Sequence, residues 1–518
     1  MLQFLIVILI MISLPAVAVT NGQNQVSGAS ASGAPDMSLL TGAKLALSDG
    51  FLVVAEKKFK KFLQQSGLSA SDIKTANEGL LQALLLQKKY DELQGLVERL
   101  AGRKKITSEE AAYWQARVLY AETHYTKAVE LLAGASTNAV AKKLTEPGMR
   151  LLALSRLKGG DVEGAIQTFK VFATRYPKSK LLQQNRLDWG RALVFQGKMG
   201  DAIKVLEPVL LASDQRLANE ARYWIGRSLL QQKDRKKGLA MLRPLLDQAG
   251  VSEGIRVNTV LAVVEAGSSQ NIDSGIKLLA QTLASVKSED DRRRMSSELC
   301  KLLLDSGRLD EASSLIRDYI AKNPDEVSSA ELQLKLGDAL LAAKRFDDAI
   351  AVYQQYLEVF ANAGGYAQAR YGRGWALLGA KRYAEAAQEF EKAYELFKDP
   401  GRKMECLFKV GDARLQNEQY KKAIAAYEKY LEQYPKSTQT PRVLFNIGVC
   451  QQLLGDAEAA GKSFELVVKR NPDAPEAMDA ILRIAAMLRN KKDWKGAEQQ
   501  FDRAMKLYPK SSLFVKAL

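Results

Sequence analysis

The chain has 518 residues, a formal net charge of +16, 47% hydrophobic residues and 26% charged residues. These proportions are ordinary for a folded protein, and 13 prolines with 36 glycines are too few for a loop-rich all-β protein of this size. Three scattered cysteines and one histidine, His124, supply neither zinc-ligand spacing nor a nucleophile–histidine arrangement. We therefore expect no catalytic residue, metal site or cofactor; a pair of carboxylates acting as acid and base is the enzymatic alternative left open.

The amino-terminal segment predicts export. Residues 4–19 form an apolar run, and Ala16-Val17-Ala18 gives the small-x-small pattern that signal peptidase accepts. The run predicts a signal peptide over residues 1–18 and secretion across the inner membrane, to the periplasm. Because no Lys or Arg precedes the run, an uncleaved membrane anchor facing the periplasm is the alternative. Residues 19–36 are rich in Gly, Ser, Ala and Asn and predict a flexible linker.

Residues 37–518 repeat one pattern with a period of about 37 residues. Each copy has a mostly small residue, here called the anchor, with Ala twelve residues later in ten of thirteen copies. An aromatic or aliphatic residue follows sixteen after the anchor. The anchors are Ala43, Leu81, Ala116, Ala153, Gly190, Gly226, Val263, Cys300, Gly337, Gly374, Gly411, Gly448 and Ala485.

This spacing predicts two antiparallel helices per copy, with the anchor in the first helix and the alanine in the second. Small residues at both positions let the helix axes approach closely, and the large residue four after the alanine fills the space beside them. Proline 24 residues after the anchor stops the second helix; it occurs at Pro177, Pro324, Pro435, Pro472 and Pro509. We expect a continuous all-α array of about 13 helix pairs over residues 37–518, with its weakest register near residues 135–150 and 245–290.

The small-residue, alanine, aromatic and proline positions resemble those of the tetratricopeptide repeat (TPR) family across residues 36–518. The resemblance implies a right-handed superhelical solenoid with a concave groove that binds partners. The period of 37 departs from the family's usual 34 and implies an altered superhelical pitch. The YPKS endings resemble repeats of bacterial envelope proteins, notably the Tol–Pal-associated cell-division coordinator and the outer-membrane-assembly lipoprotein.

In that family the residue after the anchor faces the groove, on the same side as the residue three before the anchor. After the anchor stand Arg117, Arg191, Arg227 and Lys301, and further on Asp338, Trp375 and Asp412. Three before the anchor stand Tyr113, Tyr223, Tyr371, Phe408 and Phe445. These positions predict a basic groove in the first half and an aromatic groove with acidic neighbours in the second. The alternative is that the arginines form a solvated face and the aromatic rings pack between repeats.

The function expected from the resemblance is a non-catalytic scaffold that binds protein or peptide partners of the cell envelope. A second hypothesis is an adaptor for an anionic envelope polymer or for polysaccharide-synthesis or secretion machinery, because an arginine row suits carboxylates and phosphates. A membrane-anchored or cytoplasmic scaffold remains if the export signal is misread. Nucleic acid is not expected, since the basic clusters fall mostly in turns and on outer helix faces.

Overall fold

The computed structural model describes residues 35–134, 144–267 and 271–508. The predicted signal peptide, nearly all of the predicted linker, and Pro509 lie outside these residues. Within them the chain forms helices and no strand, which confirms the predicted all-α fold. The contacts divide the chain into an amino-terminal unit, up to Thr259, and a carboxy-terminal unit, from Val260.

The amino-terminal unit consists of successive antiparallel helix pairs. Its helices are α1 Met37–Ser48, α2 Leu52–Phe62, α3 Ala70–Leu86, α4 Tyr90–Gly102, α5 Ser108–Ala121, α6 Tyr125–Ala133, α7 Glu146–Lys158, α8 Val162–Arg175, α9 Leu182–Phe195, α10 Met199–Leu206, α11 Gln215–Gln231, α12 Arg235–Leu242 and α13 Pro244–Asp247. A short 3₁₀ helix, Glu207–Leu211, follows α10. The next helix, α14 Glu253–Gly267, contains the division between the two units.

The carboxy-terminal unit continues the same alternation. Its helices are α15 Ile272–Leu283, α16 Glu289–Asp305, α17 Leu309–Lys322, α18 Val327–Ala342, α19 Phe346–Val359, α20 Tyr366–Gly379, α21 Tyr383–Leu396, α22 Pro400–Gln416, α23 Tyr420–Gln433, α24 Thr440–Leu453, α25 Ala457–Arg470, α26 Pro475–Asn490 and α27 Trp494–Leu507. The helix that carries the anchor is called the first helix of its pair, and the helix that follows it the second.

The anchor packs against the large residue sixteen positions later, as the spacing predicts. A Cβ atom placed on Gly337 would lie 2.6 Å from Cε1 of Tyr353, and one placed on Gly190 would lie 2.4 Å from Cγ of Leu206. The alanine twelve after the anchor is completely buried in most pairs, for example Ala386. The small residues therefore set the approach of the two helices in each pair.

A left-handed residue makes the turn between the two helices. It stands seven positions after the anchor and is a glycine in some pairs, such as Gly160 at φ 92°, but a lysine in others, such as Lys344 at φ 58°. The next amide, that of Arg345, donates to the carbonyl of Leu340 at 2.9 Å. This is the six-to-one hydrogen bond that closes a helix carboxyl end.

Proline ends the second helix where the sequence predicts it. Helix α8 ends at Arg175, two residues before Pro177, and α23 ends at Gln433, two residues before Pro435. The tyrosine before Pro177 also joins the end of α8 to the start of its own pair, because the hydroxyl of Tyr176 donates to the carbonyl of Leu144, just before α7, at 2.9 Å.

Glu56 makes the stability of the first two pairs depend on pH. Burial opposes its ionisation, but contacts from Lys60 (2.6 Å), Lys89 (2.8 Å) and Gln87 (2.9 Å) outweigh burial and lower its pKa from 4.5 to about 2. Because the pKa of Glu56 is lower in the folded than in the unfolded protein, its ionised carboxylate stabilises the fold at pH values above the unfolded-state pKa. This stabilisation is lost as the pH falls toward the folded-state pKa. We expect Glu56→Gln to cost about 2 kcal/mol at pH 7, because the exposed lysines reduce the full linkage value.

Hydrogen exchange of α2 amides in wild type and Glu56→Gln, measured between pH 7 and pH 2, checks this expectation. The difference in opening free energy should narrow as pH falls from 4.5 toward 2. Glu92→Gln is the local control, because Glu92 is half-exposed and contacts the same Lys60 at 3.3 Å; it should cost less than about 1 kcal/mol. A pH-independent difference for Glu56→Gln would contradict the assignment.

Candidate functional site

Within each unit the first helices contact one another across successive pairs. Helix α9 contacts α11 in the amino-terminal unit, while α18 contacts α20 and α24 contacts α26 in the carboxy-terminal unit. The predicted groove side chains, one residue after and three residues before each anchor, therefore lie on a surface of the first helices that continues from pair to pair within each unit. We call this surface the first-helix face. The sequence-predicted site residues all lie on first helices.

On the first-helix face of the carboxy-terminal unit, three cations each lie over an aromatic ring of the preceding first helix. The pairs are Lys409 over Trp375 at 4.5 Å, Arg442 over Phe408 at 5.6 Å and Arg483 over Phe445 at 5.2 Å, measured to the ring centroid. We call these six residues the aromatic–cation ladder. A cation over a ring face is attracted by the ring quadrupole and held in place, so the ladder places cations along α22, α24 and α26. Lys409 also contacts Asp412 at 3.5 Å, which offsets part of its charge.

The aromatic residues of the ladder differ in exposure. Trp375 and Phe445 are half-buried, whereas Phe408 is buried, as is Tyr371 beside the ladder. Tyr371 packs edge-on against Phe390 at 5.8 Å, within the same helix pair. Tyr371 and Phe408 thus pack against the second helix of their own pairs; Phe408 lies 6.3 Å from Tyr427 and 6.0 Å from Tyr430 between ring centroids. Trp375 and Phe445 are the rings that a ligand can touch.

The two aspartates of the predicted site hold the second helix of their own pair. The hydroxyl of Tyr353 donates to Asp338 at 2.5 Å, and that of Tyr427 donates to Asp412 at 2.8 Å. Burial, together with Asp412, raises the pKa of the Tyr427 phenol well above its usual range. Asp412 also accepts from Asn446 at 3.3 Å, so its carboxylate has a structural role in the fold.

The cations predicted in the first half have different environments. Arg117 on α5 is buried, donates to Gln82 at 2.6 Å and lies 4.8 Å from the ring centroid of Trp114; burial lowers the pKa of its guanidinium. Arg227 is half-buried on α11. Lys301 belongs to the carboxy-terminal unit and contacts Glu298 at 3.3 Å. Arg117 is therefore packed inside the fold, while Arg227 and Lys301 remain partly exposed on their own helices.

Arg191 belongs to a chain of charges that links three first helices. Arg150 on α7 contacts Asp188 on α9 at 2.5 Å, and Arg191 lies 3.9 Å from both Asp188 and Glu220 on α11. Burial raises the pKa of the Glu220 carboxyl, with Arg191 opposing the shift. Acidic partners thus accompany Arg150 and Arg191, and this part of the face is less basic than the sequence alone suggests.

A second cluster in the carboxy-terminal unit surrounds one buried carboxylate. Glu389 on α21 is only 5% exposed and contacts Arg370 at 2.9 Å, Arg373 at 3.0 Å and Lys392 at 3.4 Å. Arg370 and Arg373 come from the first helix of the same pair and are themselves largely buried. These ion pairs join α20 to α21, and α20 is the helix that carries Trp375 of the ladder.

Sequence reasoning missed the three cations of the ladder. Lys409 and Arg483 stand two residues before their anchors, and Arg442 stands one helical turn earlier, six before its anchor. The positions two and six before the anchor are one helical turn apart and lie near the predicted groove positions, so a basic residue at either of them is the signal that could have found the three cations.

The histidine and the three cysteines are the side chains most suited to nucleophilic catalysis or metal binding. No group of His, Cys, Asp and Glu within the described residues has the geometry to hold a metal ion. His124 is exposed and lies 3.8 Å from Glu122. Cys300, Cys406 and Cys450 are buried free thiols, and burial raises the pKa of each to about 12.

No helix within residues 35–134, 144–267 and 271–508 combines the length and the apolar character needed to cross a bilayer.

Comparison with known proteins finds two family models, both described as tetratricopeptide repeat. One matches residues 187–243, 297–365, 334–402 and 408–475, and the other matches residues 149–179 and 479–511. No curated protein matches the chain.

Several solved structures are similar to the chain. The Cut9–Hcn1 hetero-tetramer of the APC/C is similar at 13% identity over 92% of this chain and 94% of that one, with a TM-score of 0.34. YrrB, a TPR protein, is similar at 22% identity over 39% of this chain and 96% of that one, with a TM-score of 0.30. MamA from Desulfovibrio magneticus RS-1, from residue 41 to its end, is similar at 19% identity over 35% of this chain and 97% of that one, with a TM-score of 0.30.

Proposed function

The chain belongs to the tetratricopeptide repeat family, and from this premise we propose that it is a non-catalytic scaffold of the bacterial cell envelope. Its partners are proteins or peptides that bind along the first-helix face. The family's repeats serve as protein-interaction scaffolds, and the stacked first helices supply a long surface for such contacts. The aromatic–cation ladder is the observation that carries the proposal.

The ladder suits an acidic segment of a partner. Arg442 is exposed, and its guanidinium offers two parallel donors to a carboxylate. Trp375 and Phe445, both half-buried, offer apolar contact beside the charges, and partly exposed aromatic residues are typical anchors of binding energy. The ring under each cation restrains its position, so less conformational entropy is lost when a ligand binds.

The envelope location rests on the amino-terminal sequence. The apolar run over residues 4–19 with the small residues Ala16 and Ala18 supports export across the inner membrane to the periplasm. Retention of the run as an anchor would place the same scaffold on the periplasmic side of the membrane. Either outcome leaves the first-helix face in the compartment of envelope proteins.

We expect neutralisation of the ladder to remove partner binding. When the variant Lys409→Gln/Arg442→Gln/Arg483→Gln is used as bait in native envelope extract, the captured amount of each specific partner should fall at least about tenfold. The reason is that each charge-assisted contact contributes about 1.5 to 3 kcal/mol. Affinity capture with the full chain as bait, quantified by mass spectrometry, checks this result.

The matched control removes the same charge from second helices. Lys421→Gln/Lys422→Gln/Lys495→Gln changes three exposed lysines of α23 and α27 and should retain the partners of the wild type. If both variants lose partner binding equally, the effect depends only on net charge, and this result would contradict a binding site at the ladder. Binding that falls steeply with salt in every variant would favour the anionic-polymer hypothesis instead.

A further inference from the structure

The turn between α1 and α2 and the exposed side of α2 are unusually apolar. The same positions are polar in an inner pair, where Asp347 and Asp348 stand ten and eleven residues after the anchor Gly337, as Val53 and Val54 do after Ala43. Leu45, at the end of α1, and Phe51, Val53 and Val54, at the start of α2, are between 46% and 64% exposed. The amide of Phe51 donates to the carbonyl of Ala46 at 2.8 Å, which closes the turn between α1 and α2.

Lysines continue this surface along α2. At 100° per residue, Val53, Val54, Lys57 and Lys61 fall within an arc of about 100° on the helix. Phe59 lies on the opposite side and is completely buried. The exposed side of α2 therefore begins with apolar residues and continues with positive charges.

The lysines of this arc differ from their neighbour Lys60. Lys60 is paired with Glu56 at 2.6 Å, whereas Lys57 and Lys61 form no ion pair within the described part of the chain. We call the surface formed by the turn and this side of α2 the amino-terminal face; it comprises Leu45, Phe51, Val53, Val54, Lys57 and Lys61.

We propose that the amino-terminal face docks on an anionic lipid surface. Apolar side chains at the turn enter the boundary between headgroups and acyl chains, while the lysines beside them bind lipid phosphates. Among the described residues Lys57 and Lys61 form no direct ion pair, although Lys61 interacts with Asp36 at longer range, so both can complement the negative potential of such a membrane; their attraction falls off within a Debye length. This surface lies on the first helix pair, separate from the ladder of the carboxy-terminal unit.

The position of the face in the chain supports the same occupant. The apolar run ends at residue 19 and α1 is capped by Asp36, so sixteen residues, 20–35, connect them. Sixteen residues span at most about 58 Å. A membrane contact made by residues 4–19 would therefore keep the amino-terminal face within reach of the bilayer.

A label at the face reads its environment directly. The full chain carrying Phe51→Cys is labelled with an environment-sensitive fluorophore, since the three native thiols are buried. Vesicles of phosphatidylglycerol and phosphatidylcholine should shift its emission to the blue, and vesicles of phosphatidylcholine alone should not. Leu211→Cys is the control position, because Leu211 is 90% exposed in the same unit; its label should not respond. Equal responses at both positions would overturn the proposal.

Charge neutralisation separates the face from any binding by residues 4–19. Lys57→Gln/Lys61→Gln should weaken sedimentation with anionic vesicles at least about tenfold, and the effect should diminish at high salt. Lys421→Gln/Lys422→Gln removes the same charge from α23 and should bind as the wild type does. Unchanged binding of the first variant contradicts the proposal. A different outcome would be that the chain self-associates without lipid, that Val53→Ser/Val54→Ser abolishes this self-association, and that vesicles have no effect. That outcome would overturn the lipid proposal and assign the face to a second copy of the chain.

Discussion

Gly411→Ala is expected to destabilise the carboxy-terminal unit by about 1 to 3 kcal/mol. The new Cβ would lie 2.3 Å from Cε1 of Tyr427, a distance at which the ring must move. Tyr427 is completely buried, and its hydroxyl donates to Asp412 at 2.8 Å. Displacing the ring therefore strains the packing and this hydrogen bond together. Urea unfolding followed by circular dichroism, together with hydrogen exchange of α22 and α23, measures the loss.

Gly461→Ala is the matched control for this substitution. Gly461 lies inside α25, and no heavy atom lies within 4 Å of the position its Cβ would take. Alanine there should stabilise the helix by about 0.5 to 1 kcal/mol, because it lowers the entropy cost of ordering the backbone. Two substitutions with the same chemistry should thus have opposite signs. A neutral Gly411→Ala would show that the anchor register is wrong.

Glu389→Gln is expected to cost about 3 kcal/mol, because it removes the ion-pair partner of two largely buried guanidinium groups and leaves Arg373 only a longer-range interaction with Glu385. Arg370 and Arg373 are each 18% exposed, and the Nε atom of Arg373 has no hydrogen-bond partner even with Glu389 present. Loss of the carboxylate removes both ion pairs that join α20 to α21. Thermal unfolding at neutral pH and hydrogen exchange of the two helices check the expected loss.

An exposed ion pair at the start of the same helix provides the comparison. Arg382 and Glu385 contact at 2.7 Å, but both are nearly half-exposed. Glu385→Gln should cost less than about 1 kcal/mol, since solvent screens exposed pairs. Similar losses for the two glutamine variants would show that burial does not set the strength of the Glu389 cluster.

The sequence predicted the fold because the repeat is a local device. Each anchor contacts a residue sixteen positions later in its own pair, as Gly337 contacts Tyr353, so the spacing alone reports the contact. Helix ends were equally local, since Pro177 and Pro435 follow the helices they stop. The export signal and a continuous array over residues 37–518 stay predictions.

The candidate site was less predictable because it depends on how successive pairs align. Arg442 lies over Phe408, a residue 34 positions earlier on the preceding first helix. Spacing within one helix pair does not predict how first helices of neighbouring pairs align. The same limit applies to Arg117, whose burial against Trp114 and Gln82 follows from packing with α3. A basic residue at a groove position can be read from sequence; its ion-pair partner or its burial cannot.

The measurement that tests the scaffold account most directly is site-specific photocrosslinking in native envelope extract. A photoreactive amino acid replaces Gln439, one helical turn before Arg442 on the first-helix face, or, as the control, Lys421 on a second helix; both positions are exposed. The account predicts distinct protein adducts from position 439, which excess wild-type chain suppresses and the ladder variant does not, and none from position 421. The same adducts from both positions, or adducts from position 421 alone, would contradict a partner site on the first-helix face.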